Sequence, residues 1–171
     1  ESVVDAGSTF FVYLPCSGEA EIGLAKVQEP DLPTGTERIL FVDDEPNIAE
    51  IAQSSLEYLG YRVEACISSR KALERFQEVP GDFDLVITDM TMPEMTGDAL
   101  ASQILAIAPD IPIILCTGYS DQITSQKAFA MGIRKFLLKP ISIKNLTQCV
   151  REVLDNQKPN KKKVNHEHTD P

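Results

Sequence analysis

Tryptophan is absent from this 171-residue chain, and its two histidines, His166 and His168, both stand within its last few residues. A histidine acting as general base or metal ligand inside a folded domain is therefore not expected. Cysteine is sparse too: Cys16, Cys66, Cys116 and Cys149 lie far apart, with no C-x-x-C pair and no histidine nearby to complete a metal site. Free, mostly buried thiols in a reducing cytoplasm are the expectation. No stretch approaches the roughly 20 apolar residues needed to span a bilayer, and no signal-like region follows Glu1. A soluble, cytoplasmic piece of a longer protein is expected, even if its parent is attached to a membrane. Positive charge is outnumbered, with 16 Lys and Arg against 26 Asp and Glu for a formal net charge of -10. That balance argues against binding nucleic acid or an anionic membrane, since both call for clustered cations. The run Lys161-Lys162-Lys163 reads as part of a solvated tail.

The length suits one well-buried domain with ragged ends rather than two full domains. Residues 1–15 contain one strand signal, over 8–14, stopped by Pro15 and with no partner strand within reach. Residues 16–36 mix Gly, Pro and Glu without periodicity, as a linker does. Residues 37–156 form the folded domain, and 157–171 are expected to be a disordered tail. Within the domain, apolar strand-like runs alternate with helical patterns five times. This predicts a doubly wound five-stranded parallel α/β sheet with helices on both faces.

The first strand covers 39–42, and Pro46 then suits a first helical turn. Ile48, Ile51, Ala52, Ser55, Leu56 and Leu59 recur at three- and four-residue spacing, and Gly60 stops that helix. A second strand over 61–66 precedes a helix capped by Ser68 or Ser69 that buries Ala72, Leu73 and Phe76. The third strand ends at Asp89. After a loop containing Pro93 and Gly97, a helix turns Leu100, Ile104 and Ile107 inward. A fourth strand over 113–116 ends at Thr117-Gly118. The helix expected over 121–131, with Ile123 and Phe129, has the fewest large apolar residues. A fifth strand over 135–138 leads to Lys139-Pro140, and Ser142 caps a last helix carrying Ile143, Leu146, Val150, Val153 and Leu154.

In a parallel sheet the carboxyl ends of the strands share one edge, so Asp43-Asp44, Asp89 and Lys139 are expected around one pocket. Alone, Asp43-Asp44-Glu45 suits a solvated helix N-terminus, Asp89 a turn, and Lys139-Pro140 an ordinary strand exit. Together they form a pocket suited to a divalent cation and a phosphoryl group. Neighbouring carboxylates repel one another unless a cation neutralises them, and Mg²⁺ does so with hard oxygen ligands while retaining waters.

The ordered set Val42-Asp43-Asp44-Glu45, Asp89 followed by Pro93 and Gly97, Thr117-Gly118 and Lys139-Pro140 resembles the receiver domain of two-component signalling, over about residues 37–155. The resemblance implies a flavodoxin-like sheet of strand order 2-1-3-4-5. It implies Asp89 as phosphoacceptor, helped by Lys139 and Thr117. Mg²⁺ would be held by Asp44, Asp89 and the backbone carbonyl of Thr91, with Asp43 acting through water. It further implies a cis bond before Pro140, a switch in which Thr117 and Phe136 move, and tuning of the phosphoryl lifetime by Thr91 and Tyr119. The surface formed by the fourth helix, fifth strand and fifth helix would change on phosphorylation.

Gly7-Ser8-Thr9-Phe10-Phe11-Val12-Tyr13-Leu14-Pro15 resembles the final strand of a histidine-kinase ATP-binding domain, with Asp5 where that segment usually has its first glycine. This implies that the parent is a hybrid sensor histidine kinase. The implied partners are that kinase's dimerisation and phosphoacceptor domain, or a histidine phosphotransfer protein. The fragment has no ATP site and no phosphorylatable helix histidine, so it is not a kinase by itself; its own chemistry would be self-catalysed phosphorylation and dephosphorylation. A stand-alone regulator and an unphosphorylated docking module stay open. A haloacid-dehalogenase-type phosphatase is disfavoured because Thr91 stands where its second Asp is needed. An FMN site is disfavoured because Asp43-Asp44-Glu45 would repel a phosphate.

Overall fold

A computed structural model describes residues 2–3, 7–13, 32–118 and 132–156. The sheet comprises β3 (Arg38–Val42), β4 (Arg62–Cys66), β5 (Leu85–Asp89), β6 (Ile113–Thr117) and β7 (Lys135–Leu138) in the spatial order β4-β3-β5-β6-β7. Every pairing in it is parallel. This is the expected doubly wound order. Helices α1 (Pro46–Tyr58), α2 (Ser69–Glu78), α3 (Gly97–Ile107) and α4 (Ile143–Asp155) are those of the described residues. The helix expected over 121–131 lies outside them, as do the tail beyond 156 and most of the 16–36 linker.

Successive strand side chains point to opposite faces, and the core divides accordingly. Ile39, Phe41, Leu85, Ile87, Ile114 and Cys116 pack with Ala49, Ala52 and Leu56 of α1 and with Leu146, Val150 and Val153 of α4. Leu40, Val42, Val86, Ile113 and Leu115 pack with Ala72, Leu73 and Phe76 of α2 and with Leu100, Ala101 and Ile104 of α3. Buried on both faces, β5 is apolar over Leu85-Val86-Ile87, which is why it lacks the alternation of a half-exposed strand.

Local signals behave as their chemistry dictates. Pro46 occupies the first turn of α1. Ser68 accepts from the Lys71 N–H, and Ser142 from that of Asn145, each filling an otherwise unpaired donor of a helix N-terminus. Gly60 ends the α1 segment at φ +94°, a conformation an L side chain rarely adopts.

Three apolar residues of the helical patterns are exposed, Ile107 against its expected inward place. Ile51 is 67% exposed, its place inside α1 taken by Ala49, while Ile107 and Ile143 are each 39% exposed. These two are the last residue of α3 and the first of α4, positions that lack a flanking turn to cover them. The strand expected over 8–14 also differs. Of the residues described there, Gly7–Ser8 (β2) pairs antiparallel with Ser2–Val3 (β1), and residues 9–13 belong to no strand. Phe10, Phe11, Val12 and Tyr13 are 64–90% exposed.

At the amino-terminal edge of the sheet, Glu37 takes both guanidinium ends of Arg151 from α4, at 2.8 and 3.1 Å. Those bonds hold its carboxyl well down, at about 2, against a smaller opposing effect of burial. A carboxylate whose folded pKa lies below its unfolded value stabilises the fold above the unfolded pKa and loses that stabilisation as pH falls through the folded one. Glu37→Gln is therefore expected to lower stability at pH 7 by on the order of 2 kcal/mol. The difference from the parent should shrink between about pH 4.5 and 2, as followed by urea denaturation across pH.

Candidate phosphoacceptor site

β3 hands the chain to β4 on one side of the sheet while β5 lies on its other side, so the connections diverge at the carboxyl ends of β3 and β5. That divergence opens the crevice in which doubly wound sheets place their ligands. Register sets the residues there level with one another. Val42 pairs with Thr88, Asp89 with Cys116, and Thr117 with Leu138.

Backbone bonds extend the ladder one residue beyond each strand. Asp43 N–H donates to Cys66 O at 3.2 Å, Met90 N–H to Cys116 O at 2.8 Å, and Lys139 N–H to Thr117 O at 2.8 Å. The side chains of Asp43, Asp89 and Lys139 thus start from anchored backbone. The Lys139-Pro140 peptide is cis, as the resemblance implies.

Lys139 Nζ lies 2.7 Å from Asp89 Oδ1 and 2.9 Å from Asp43 Oδ2. Both carboxylates are nearly sealed, Asp43 at 1% and Asp89 at 5% exposure. Their remaining oxygens accept backbone N–H groups, Asp43 Oδ1 from Glu45 at 3.0 Å and Asp89 Oδ2 from Thr91 at 3.0 Å. Burial acts to lower the Lys139 pKa, but the hydrogen bonds and charges of Asp89 and Asp43 outweigh it and raise it. Lys139 is an ammonium at any physiological pH.

Gly97 lets the α3 N-terminus close on this cluster. A Cβ there would overlap the carbonyl oxygen of Asp89 and crowd Leu115, while the Gly97 N–H donates to Met90 O at 2.9 Å. The close approach was not legible in sequence, although Gly97 itself marks the loop. A second unanticipated feature is Ser69, whose buried hydroxyl donates to Pro93 O at 3.4 Å and ties the 90–96 loop to α2. Cys116, paired with Asp89, is 2% exposed, and burial followed by the Asp89 charge pushes its thiol far up. It is an inert neutral packing group.

Asp44 stands half-buried beside the cluster. Thr117 is half-buried at the end of β6, with its hydroxyl 3.5 Å from Gly118 O. Phe136 is half-buried and packs against the α2 and α3 side of the core. Thr91 is exposed, and Tyr119 lies outside the described residues.

Among the described residues no three His, Cys, Asp or Glu side chains converge as a ready-made metal cage. The donor chemistry nevertheless fits a hard divalent cation. Three carboxylates against one ammonium leave two negative charges uncompensated, and Mg²⁺ needs only one or two carboxylates with waters making up its shell.

Residues 39–151 match the profile of the response regulator receiver domain. The chain belongs to the response regulator receiver family. Among curated proteins, this receiver is 32% identical over 165 residues to the sensor kinase CckA of Brucella abortus, covering 92% of the chain and 18% of that protein. It is 38% identical over 116 residues to the transcriptional regulatory protein ZraR of Escherichia coli, covering 68% and 26%. It is 30% identical over 153 residues to the aerobic respiration control sensor protein ArcB of Escherichia coli, covering 88% and 19%. The chain thus spans about a fifth to a quarter of the curated relatives it matches. The receiver domain protein from Clostridium thermocellum superposes with a TM-score of 0.68 at 31% identity, over 71% of this chain and 97% of that one.

Removing the ammonium while leaving two sealed carboxylates face to face is costly, because an uncompensated buried charge loses its solvation without return. Lys139→Met is expected to lose about 3 kcal/mol of stability at pH 7 in chelator. Millimolar Mg²⁺ should restore part of that loss, as read by thermal and urea unfolding. Equal stability of parent and variant in chelator would contradict the electrostatic picture of the cluster.

Proposed function

We propose that this receiver accepts a phosphoryl group on Asp89 from a phosphohistidine and relays the event by a change of conformation. The observation that carries this reading is the sealed Asp43-Lys139-Asp89 cluster at the sheet's switch point. An Asp89 carboxylate oxygen forms the new O–P bond as the donor's N–P bond breaks. The bonding pair stays on the departing imidazole nitrogen. No base is needed, because Asp89 reacts as the carboxylate.

Each Asp89 oxygen keeps acceptor capacity beyond the one hydrogen bond described for it, since a carboxylate offers about four lone-pair sites. The bonds from Lys139 and the Thr91 N–H orient it for in-line approach. An ammonium has three donors, so Lys139 can reach a transferring phosphoryl oxygen while keeping a carboxylate. The Thr117 hydroxyl, at the end of the neighbouring strand, is the second donor assigned to that oxygen set. Asp43, Asp44, Asp89 and the Thr91 carbonyl would hold Mg²⁺, which when bound supplies neutralisation of phosphoryl charge. Thr117 and Phe136 are assigned to the conformational response, and Thr91 and Tyr119 to the lifetime of the phosphoryl group.

The parent is proposed to be a hybrid sensor kinase acting in the cytoplasm, its receiver exchanging phosphoryl groups with a kinase phosphoacceptor domain or a histidine phosphotransfer protein. Two observations favour this over a stand-alone regulator. The alignments with the two sensor kinases extend over 165 and 153 residues, beyond the 39–151 span of the receiver itself. Phe10 to Tyr13 form an exposed apolar run of the kind that belongs inside another domain. The coding sequence upstream of Glu1 should then encode an ATP-binding kinase core; an unrelated upstream sequence would remove the hybrid assignment.

Incubation with phosphoramidate and Mg²⁺ is expected to add one phosphoryl group by intact mass, with none added in chelator and none to Asp89→Asn. An unmodified parent protein under every condition would replace this reading with that of a docking module.

A further inference from the structure

At the edge of the sheet opposite the phosphoacceptor cluster, residues 32–37 lie along the body of the domain as a strap. Leu32 packs on the α1 and α4 side of the core. Gly35 N–H donates to Leu59 O at 3.2 Å, and Arg62 bonds the Thr36 carbonyl at 3.2 Å through Nε. Two glycines make the fit possible. A Cβ on Gly35 would overlap the Tyr61 ring, and a Cβ on Gly60 would come within 2.7 Å of Gly35 O.

Arg151 of α4 closes over this strap. Its Nη1 bonds Glu37 Oε2 at 3.1 Å and Thr34 O at 3.4 Å, while Nη2 bonds Glu37 Oε1 at 2.8 Å and Asp155 Oδ1 at 3.0 Å. Arg151 and Glu37 are each only 18% exposed in their side chains. The bidentate pair is therefore more rigid and less screened than an ordinary surface ion pair.

We propose that Arg151 is a clamp making α4 and the chain entering the domain at residues 32–37 move as one body. A displacement of α4 would then reach whatever precedes residue 32, with Arg151 as the transmitting side chain. The clamp goes beyond the phosphoacceptor reading and does not depend on it, because its contacts involve no residue of the Asp89 cluster.

Coupling between two segments is reciprocal in free energy, and this supplies the test. Amide hydrogen exchange is measured on the full 171-residue chain for the parent, Arg151→Met, Arg151→Lys and Glu37→Gln. Arg151→Met is expected to speed exchange at Gly35 by about ten-fold, and Glu37→Gln to speed it in the last turn of α4 at Val153 and Leu154, by a similar factor. Arg151→Lys keeps the charge but not the fork, so its effect at Gly35 should be intermediate. Ile87 in the central strand exchanges through global opening and reads each variant's loss of overall stability, so faster local opening at Gly35, Val153 and Leu154 is separated from global destabilisation. Effects of Glu37→Gln confined to the strap, with α4 unchanged, would overturn the clamp. So would unchanged exchange at Gly35 in Arg151→Met.

Discussion

The ammonium of Lys139 sits between two carboxylates that are almost wholly removed from water. Without it, Asp43 and Asp89 would repel one another where solvent screens little. Much of the architecture serves to deliver these three groups to one place. The parallel order β4-β3-β5-β6-β7 sends the ends of β3, β5 and β7 to a common edge. Ladder bonds running one residue past those strands hold the backbone of Asp43, Met90 and Lys139. Gly97 allows α3 to close against the Asp89 carbonyl. One ammonium shared by two carboxylates leaves a net negative pocket, and that residual charge gives a divalent cation reason to enter.

Much of this was legible in the chain because the relevant signals are local. Strand-like runs such as Ile39 to Val42 and Ile113 to Cys116 end directly at polar residues, and parallel connectivity converts sequence order into spatial convergence. Pro46, Ser68, Gly60 and Ser142 mark helix ends through backbone chemistry that does not depend on neighbours. What escaped was set by tertiary contact. Ile51 satisfies a helical spacing yet faces outward, since three- and four-residue periodicity fits more than one stripe of α1 and Ala49 fills the inward one. The convergence of Lys139 with both carboxylates was expected from the shared sheet edge, and only the direct ion pairs to both are added by side-chain reach. The steric role of Gly97 depends on how closely α3 approaches β5, which is likewise invisible to pattern. Residues 8–14 carry strand propensity, yet of those described only Ser8 lies in a strand, because context decides whether propensity is realised.

The charged cluster and the entry of the chain lie at opposite edges of the same sheet. The carboxyl edge holds the charged cluster, whereas the amino edge holds Glu37, Arg151 and the strap through which the chain enters. α4 runs between these regions, beginning just after cis-Pro140 and carrying Arg151 in its final turns. A helix packed through Leu146, Val150 and Val153 against a close-packed sheet moves as a unit. That gives the domain a physical route between its two edges.

In the proposed function, the Asp43-Lys139-Asp89 cluster exchanges an internal ion pair for bonds to a phosphoryl group. A crystal structure grown with Mg²⁺ and beryllofluoride tests it most directly, because the fluoride adduct mimics a phosphoryl group on a carboxylate. The adduct is expected on an Asp89 oxygen, with Mg²⁺ beside it on oxygens from the Asp43 and Asp44 side and Lys139 Nζ bonded to a fluorine. Density showing Asp89 unmodified, with Lys139 still bridging it to Asp43 at saturating Mg²⁺ and beryllofluoride, would overturn the proposed function.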